Sequence, residues 1–391
     1  MERPYQITML MLEVPEPQGH PSARWYFSLL NEMARQGHKV DAFVASSKPE
    51  KTSATLERFK DFKNINLKIY DFPKRSGFLA KLSTFIKPYS HQFSNQLIND
   101  FRNIARKADV VHLEQLWTGW LGQEFAHKAV VNVHHLLHFD LQEVKPTSLK
   151  EGLLQPLTFY HEKKMLRRFP QLSAVSPQLV QRIKSVHASG EVFHTPFCVD
   201  LQSYSYIADD DRGQGCTIGV VGNMDWYPSF SAADNMLRNY WPMIKAKLPQ
   251  ARLSIVGWNA ADYFSHYAGD DIEIHSSVPD VKPFLQKMNV FLYTPTRGSG
   301  IKVKVLEAMA QGVPVATNSH GIEGIDFVDG VHGYVSDQPQ ELVDKVVELT
   351  GNMDRQNSLR AEARQLAEKS CDPVASFAVL KSHYQKIIAN R

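Results

Sequence analysis

Short apolar, β-rich runs alternate with longer segments of helical period along almost the whole chain, and this alternation limits its fold more than any other feature. Ile7 to Val14 reads as a strand, Ser22 to Gln36 as a helix and Val40 to Ala45 as the next strand. Strand–helix–strand units of this kind build parallel sheets with helices on their faces. Further strands are predicted at Asn66 to Tyr70, Val110 to Glu114, Val130 to His134, Leu172 to Val175 and Val192 to Phe193. A second series runs through Thr217 to Gly222, Leu253 to Gly257, Ile272 to His275, Val290 to Tyr293 and Val313 to Thr317. Between the two series, residues 204–215 are polar, Gly/Asp-rich and aperiodic, as a linker would be. The length of 391 residues also exceeds one ordinary domain. Two doubly wound α/β domains are therefore predicted, residues 1–203 and 216–372, followed by a helical tail from Pro373 whose domain periodicity does not decide.

Composition narrows the partners. Forty-four Lys and Arg against 41 Asp and Glu leave a net charge of +3, too weak a field to make nucleic acid the main partner. The charge is uneven, however: residues 1–200 hold 26 basic and 19 acidic side chains, so the first half can lean on an anionic surface. Three cysteines with no C-x-x-C spacing suggest neither a disulfide framework nor a zinc site and fit a reducing cytoplasm. The opening M-E-R-P-Y-Q leads into no leader-like segment, and no run approaches the length of a membrane span. A cytoplasmic protein is expected, with a peripheral contact to the inner face of the membrane as a further expectation. Lys74 to Lys87, with Phe78, Leu79, Leu82, Phe85 and Ile86 between the bases, reads either as an amphipathic helix resting on anionic lipid or as a surface helix packed on its domain. Lys163, Lys164, Arg167 and Arg168 read as a solvated face.

The chemistry concentrates in G-S-G-I-K-V-K-V-L-E-A-M-A-Q-G, residues 298–312, followed by V-P-V-A-T. This stretch runs from a strand end through a turn with Gly298 and Gly300 into a helix. Such a turn lets backbone N–H groups approach an anion, and the helix N-terminus adds positive partial charge. Lys302 and Lys304 in the first helical turn oppose the macrodipole unless an anion such as a diphosphate is bound. Lys304 and Glu307, three apart, share a helix face, which allows either a plain surface ion pair or a carboxylate poised for ribose hydroxyls one turn below the phosphates.

This motif resembles the donor-binding signature of the GT-B glycosyltransferases, family 4 in particular. Segments D-V-V-H-L-E, V-N-V-H-H, S-A-V-S-P, T-P-F-C-V-D, G-V-V-G-N-M and S-I-V-G fit the same family in order, so the resemblance covers nearly the whole chain. It implies two Rossmann-like domains facing a central cleft, with the last helix, residues 373–391, crossing back to the first domain. It also implies an enzyme that moves a hexosyl group from a nucleotide-diphosphate sugar to a hydroxyl acceptor. Transfer would be retaining and metal-independent, with no cofactor beyond the sugar nucleotide as co-substrate. The acceptor would be a glycan, a lipid-linked sugar or a small molecule. Gly222, Asn223, Gly257, Arg297, Gly298, Ser299, Gly300, Lys302, Lys304 and Glu307 would bind donor, and Lys302 and Lys304 would also act catalytically on the leaving diphosphate. His134 matches the family's histidine near the reacting sugar; His135 and His138 lie close by, and His112 reads as structural. Gly19 and His20 resemble the loop that closes on acceptor and donor phosphate.

Two departures from the family pattern stand out. Glu307 matches the second of two glutamates eight apart, while Ser299 stands at the first, which normally contacts the transferred sugar. The loop after the second domain's first strand, G-N-M-D-W-Y-P-S, carries no base, leaving the diphosphate to Lys302, Lys304 and Arg297. A same-fold nucleotide-sugar epimerase and a non-catalytic sugar-nucleotide or glycan binder are the alternatives. A nicotinamide enzyme would need a G-x-G-x-x-G fingerprint, and neither first strand is followed by one.

Overall fold

The computed structural model describes residues 3–47, 52–74, 86–142, 144–146, 148–201, 204–207 and 216–390. The chain divides into two compact units, Met1–Asp200 joined by Asp372–Arg391, and Leu201–Cys371. The first holds a seven-stranded parallel sheet ordered β3-β2-β1-β4-β5-β6-β7. Its strands are β1 (Gln6–Met11), β2 (Lys39–Ser46), β3 (Ile65–Asp71), β4 (Val110–Glu114), β5 (Ala129–Val133), β6 (Gln171–Ala174) and β7 (Glu191–His194). The second holds six parallel strands ordered β10-β9-β8-β11-β12-β13: β8 (Thr217–Val221), β9 (Arg252–Gly257), β10 (Ile272–Ser276), β11 (Val290–Tyr293), β12 (Val315–Thr317) and β13 (Tyr334–Val335). Every predicted strand is present within a few residues. The two-residue β13 is additional, too short to leave a period in the sequence.

The central strands are buried on both faces. Ile7, Met9, Leu10 and Met11 of β1 and Val110, Val111 and Leu113 of β4 are fully enclosed, which is why they read as continuous apolar runs rather than alternating ones. In each sheet the strand order reverses once, between β1 and β4 and between β8 and β11. At such switch points the loops beyond the strand ends splay apart and leave room for a ligand.

The last helix, Pro373–Ala389, belongs to the first unit. Its N-cap Asp372 accepts from the Val374 N–H at 2.9 Å, and Pro373 occupies the first turn, where its missing N–H is not needed. Ser376 Oγ donates to the Pro196 carbonyl at 2.7 Å, and Phe377, Leu380 and Tyr384 are buried within the unit.

The linker expected at residues 204–215 is shorter at its start. Tyr204 is buried and Ile207 donates its N–H to the Gln311 carbonyl at 3.3 Å, so this stretch packs within the second unit. Its polar composition masked a tyrosine that serves the second unit's core. Residues 208–215 lie outside the described residues, as do 75–85 of the basic Lys74 to Lys87 segment.

Candidate active site

At the first unit's switch point the centre is a carboxylate. Glu114, the last residue of β4, is wholly buried and accepts four hydrogen bonds. Trp25 Nε1 donates to Oε1 at 2.8 Å and His112 Nε2 to the same oxygen at 2.7 Å. Asn132 Nδ2 donates to Oε2 at 3.1 Å and His134 Nε2 at 2.7 Å. The sheet explains the convergence: β4 and β5 pair in register with Glu114 opposite Asn132, and residues two apart on a strand share a face. His112 and Glu114 thus lie in line on β4, with Asn132 on β5 and His134 just past its end. Burial alone would raise the Glu114 pKa, but the two imidazoles more than offset it and hold the carboxyl at about 2.

An ionised carboxylate only accepts, so it fixes both imidazole tautomers. His112 donates from Nε2 and accepts at Nδ1 from the Tyr384 hydroxyl at 2.6 Å, a group carried by the C-terminal helix. His134 likewise donates from Nε2, so in the neutral ring Nδ1 is the lone-pair nitrogen. Beside it, His135 is held at a pKa of about 4, by burial first and then by His134 and His20. His20 is the N-cap of the helix Pro21–Arg35, its Nδ1 accepting from the Ser22 N–H at 3.3 Å. Gly19 just before it has φ +95°, which an L side chain rarely adopts. His134, His135 and His20 therefore share one neighbourhood. His138 has a carboxylate of its own: its Nδ1 lies 2.5 Å from buried Glu162, which also accepts from the N–H groups of Leu137 and His138.

In the second unit the two lysines meet at the switch point between β8 and β11. Lys302 is the N-cap of the helix Val303–Ala310 and is buried. Its ammonium bonds to the Gly300 carbonyl and lies 3.9 Å from the buried Glu323 carboxylate. A Cβ added at Gly298 would stand 3.2 Å from that ammonium and 3.3 Å from Pro228. Lys304 bonds to Ser229 Oγ and lies 5.1 Å above the Tyr293 ring. A Cβ at Gly222 would approach its ammonium to 3.3 Å. Both cations thus crowd the first turn of the helix Tyr227–Asn235, whose own N-terminus carries positive partial charge. Burial lowers the Lys304 pKa to about 8, Lys302 adding to the effect while Glu307 opposes it. Such a concentration of positive charge is a site for a polyanion.

The remaining predicted donor residues surround this point. Ser299 is buried in the turn, Gly300 follows it, and Arg297 is half-buried. Glu307 is buried one turn below Lys304, and its Oε1 accepts from the Tyr204 hydroxyl at 2.9 Å. Exposed Asn223 uses Oδ1 to accept from the Asp225 N–H at 3.0 Å. Gly257 has a packing reason of its own. Its φ is +150° and a Cβ would fall 1.6 Å from the Gly222 carbonyl oxygen, so the ends of β8 and β9 can approach only because it is glycine.

Sequence reasoning missed Glu114, Trp25 and Tyr384 in the first unit and Tyr204, Ser229 and Glu323 in the second. The available signal was the pair of i,i+2 polar positions, H-x-E and N-x-H, in otherwise apolar strands.

Known proteins match this architecture. A family model described as Glycosyltransferase Family 4 matches residues 22–203, and one described as Glycosyl transferases group 1 matches residues 215–352. A curated relative, the uncharacterized glycosyltransferase MJ1178 of Methanocaldococcus jannaschii, is 28% identical over 95 residues. That match spans 24% of this chain and about a quarter, 27%, of the relative's length. Among solved structures, sucrose-phosphate synthase (tll1590) from Thermosynechococcus elongatus superposes with a TM-score of 0.72 at 15% identity, covering 99% of this chain and 100% of the other. Anabaena Alr3699/HepE in complex with UDP and glucose gives 0.68 at 13%, covering 98% and 100%. With a Glycosyltransferase Family 4 model on the first unit, a Glycosyl transferases group 1 model on the second and the same fold across the whole chain, this protein is a glycosyltransferase of the GT-B fold.

Proposed function

We propose that the protein transfers a hexosyl group from a nucleotide-diphosphate sugar to a hydroxyl acceptor, with retention at the anomeric carbon. The observation that carries this reading is the pair of ammonium groups, buried Lys302 and half-buried Lys304, at one helix N-terminus. When the bond from the anomeric carbon to the donor diphosphate breaks, its electron pair goes to a phosphate oxygen. Fixed positive charge there stabilises the transition state more than the ground state. The acceptor oxygen bonds to the same carbon and gives up its proton to the departing phosphate oxygen. In this reading the lysines supply the charge that a divalent ion supplies elsewhere, and the sugar nucleotide is the only small molecule the reaction needs. Glu307 receives the ribose hydroxyls, with Tyr204 holding one of its oxygens. His134 offers Nδ1 to a sugar hydroxyl beside the reacting carbon, its ring fixed by Glu114.

The acceptor class is a glycan, a lipid-linked sugar or a small molecule. The test is a panel of radiolabelled nucleotide sugars with mixed acceptors, run with and without chelator. A labelled glycoside plus free nucleotide diphosphate in both conditions is expected. Donor isomerised at one sugar carbon would instead indicate an epimerase, and binding with no product at all a non-catalytic receptor. Product that forms only after a divalent ion is restored would defeat the lysine reading.

A further inference from the structure

We propose that one exposed face of the helix Leu149–Leu166, an apolar stripe running into a basic cluster, docks the first unit on an anionic lipid surface. The inference goes beyond the transfer reaction and does not rest on it. Leu149, Leu153, Leu157 and Tyr160 are 93%, 65%, 37% and 59% exposed, a row of large apolar side chains left in water. At about 100° per residue they fall with Lys164 inside an arc of roughly 80°, and the row is about 20 Å long. A helix of a water-soluble domain normally turns such a stripe inward. Here the inward side is formed by other residues: Met165 and Leu166 are buried, and buried Glu162 holds the backbone of Leu137 and His138.

Charge identifies the occupant. Lys150, Lys163, Lys164, Arg167 and Arg168 are all exposed. Lys164 sits over the Tyr160 ring at 5.7 Å and lines a shallow pocket with Lys87, Arg168, His161 and Trp120. Glu151, the exposed carboxylate of this helix, lies about 200° round from Leu149, on another side. Among the described residues, the face therefore offers apolar contact and cations with no acidic group among them. A second copy packed in parallel would set these cations against the same cations, whereas an anionic bilayer presents hydrocarbon beneath a negative surface.

Co-sedimentation of the full chain with vesicles tests this, using phosphatidylcholine alone and an equimolar mixture with phosphatidylglycerol. The wild type should pellet with the mixed vesicles, weakly with the neutral ones, and less as salt rises. Leu153→Glu/Leu157→Glu should weaken binding by about tenfold or more, and so should Lys164→Glu/Arg168→Glu. All four positions are exposed, so melting temperature and circular dichroism should match wild type; the charge-reversal pair decides the matter if the leucine pair misfolds. Wild-type protein left in the supernatant with both vesicles would overturn the proposal, as would variants that bind like wild type. A dimer seen by light scattering and broken by Leu153→Glu, without vesicle binding, would assign the face to a second copy instead.

Discussion

Burial, the Glu307 carboxylate and Lys302 together set the Lys304 ammonium at a pKa of about 8, well under the usual lysine value of 10.5. The sign of the consequence follows from the anion. A bound diphosphate favours the charged form, so the pKa rises in the complex. Below pH 8 the lysine is protonated with or without donor, and affinity is flat. Above pH 8 binding must take up a proton, and affinity should fall by up to tenfold per pH unit. Titration calorimetry at pH 9 in buffers of different ionisation enthalpy should register that proton, and Lys304→Met should abolish both the uptake and the slope. A pH-independent affinity in the wild type would place the diphosphate elsewhere. Glu114 makes the matching case in the first unit. Its folded pKa of about 2 lies below the ordinary carboxyl value of 4.5, so its stabilising contribution is complete above pH 4.5 and is lost as pH falls toward 2. Glu114→Gln should flatten that acid limb of the stability curve and release the His134 tautomer, which nitrogen NMR of the ring reads directly. His134→Ala should reduce turnover by about 10²-fold with donor affinity nearly unchanged. The two lysines and His134 were legible because the motif, or a strand-end position, announces them. Glu114 was not, because the last residue of an apolar strand carries no mark of the four donors that converge on it from other parts of the first unit.

At the scale of elements, strands were readable and their register was not. H-x-E on β4 and N-x-H at the end of β5 each put two polar groups on one face, yet their meeting depends on Glu114 standing opposite Asn132. Two apolar strands do not specify that register by pattern alone, since both faces are buried. The helix after Cys371 shows the same limit. Its period predicts a helix, whereas its place in the first unit rests on contacts such as Ser376 with Pro196 and Tyr384 with His112. Tyr384→Phe isolates the second of these. It keeps the ring packed and removes the donor from a buried imidazole nitrogen, which costs about 1–3 kcal/mol. Thermal unfolding of the first unit should shift down accordingly. Turnover should fall only as far as His112 loosens its hold on Glu114, while binding of nucleotide in the second unit stays at wild-type strength. An unchanged melting temperature would mean that the Nδ1 of His112 finds another donor.

Two compact units with separate sheets and cores should unfold as two transitions, because cooperative unfolding belongs to a core rather than to a chain. Scanning calorimetry of the full chain should resolve them, and nucleotide diphosphate should mark the second unit by raising one transition only. At 100 times the dissociation constant the added stability is about 2.7 kcal/mol. The path of the chain makes a sharper test, since the first unit is built from both ends of the sequence while Leu201–Cys371 is continuous. A chain ending at Cys371 loses Phe377, Leu380 and Tyr384 from the first core, and each such large apolar side chain is worth about 2–5 kcal/mol. Summed, that exceeds the net stability of most domains of this size. The truncated protein should therefore lose the transition that nucleotide leaves alone and keep the one that nucleotide raises. The reverse outcome, with the nucleotide-sensitive transition lost, would place the C-terminal helix in the second unit's core and contradict the fold described above.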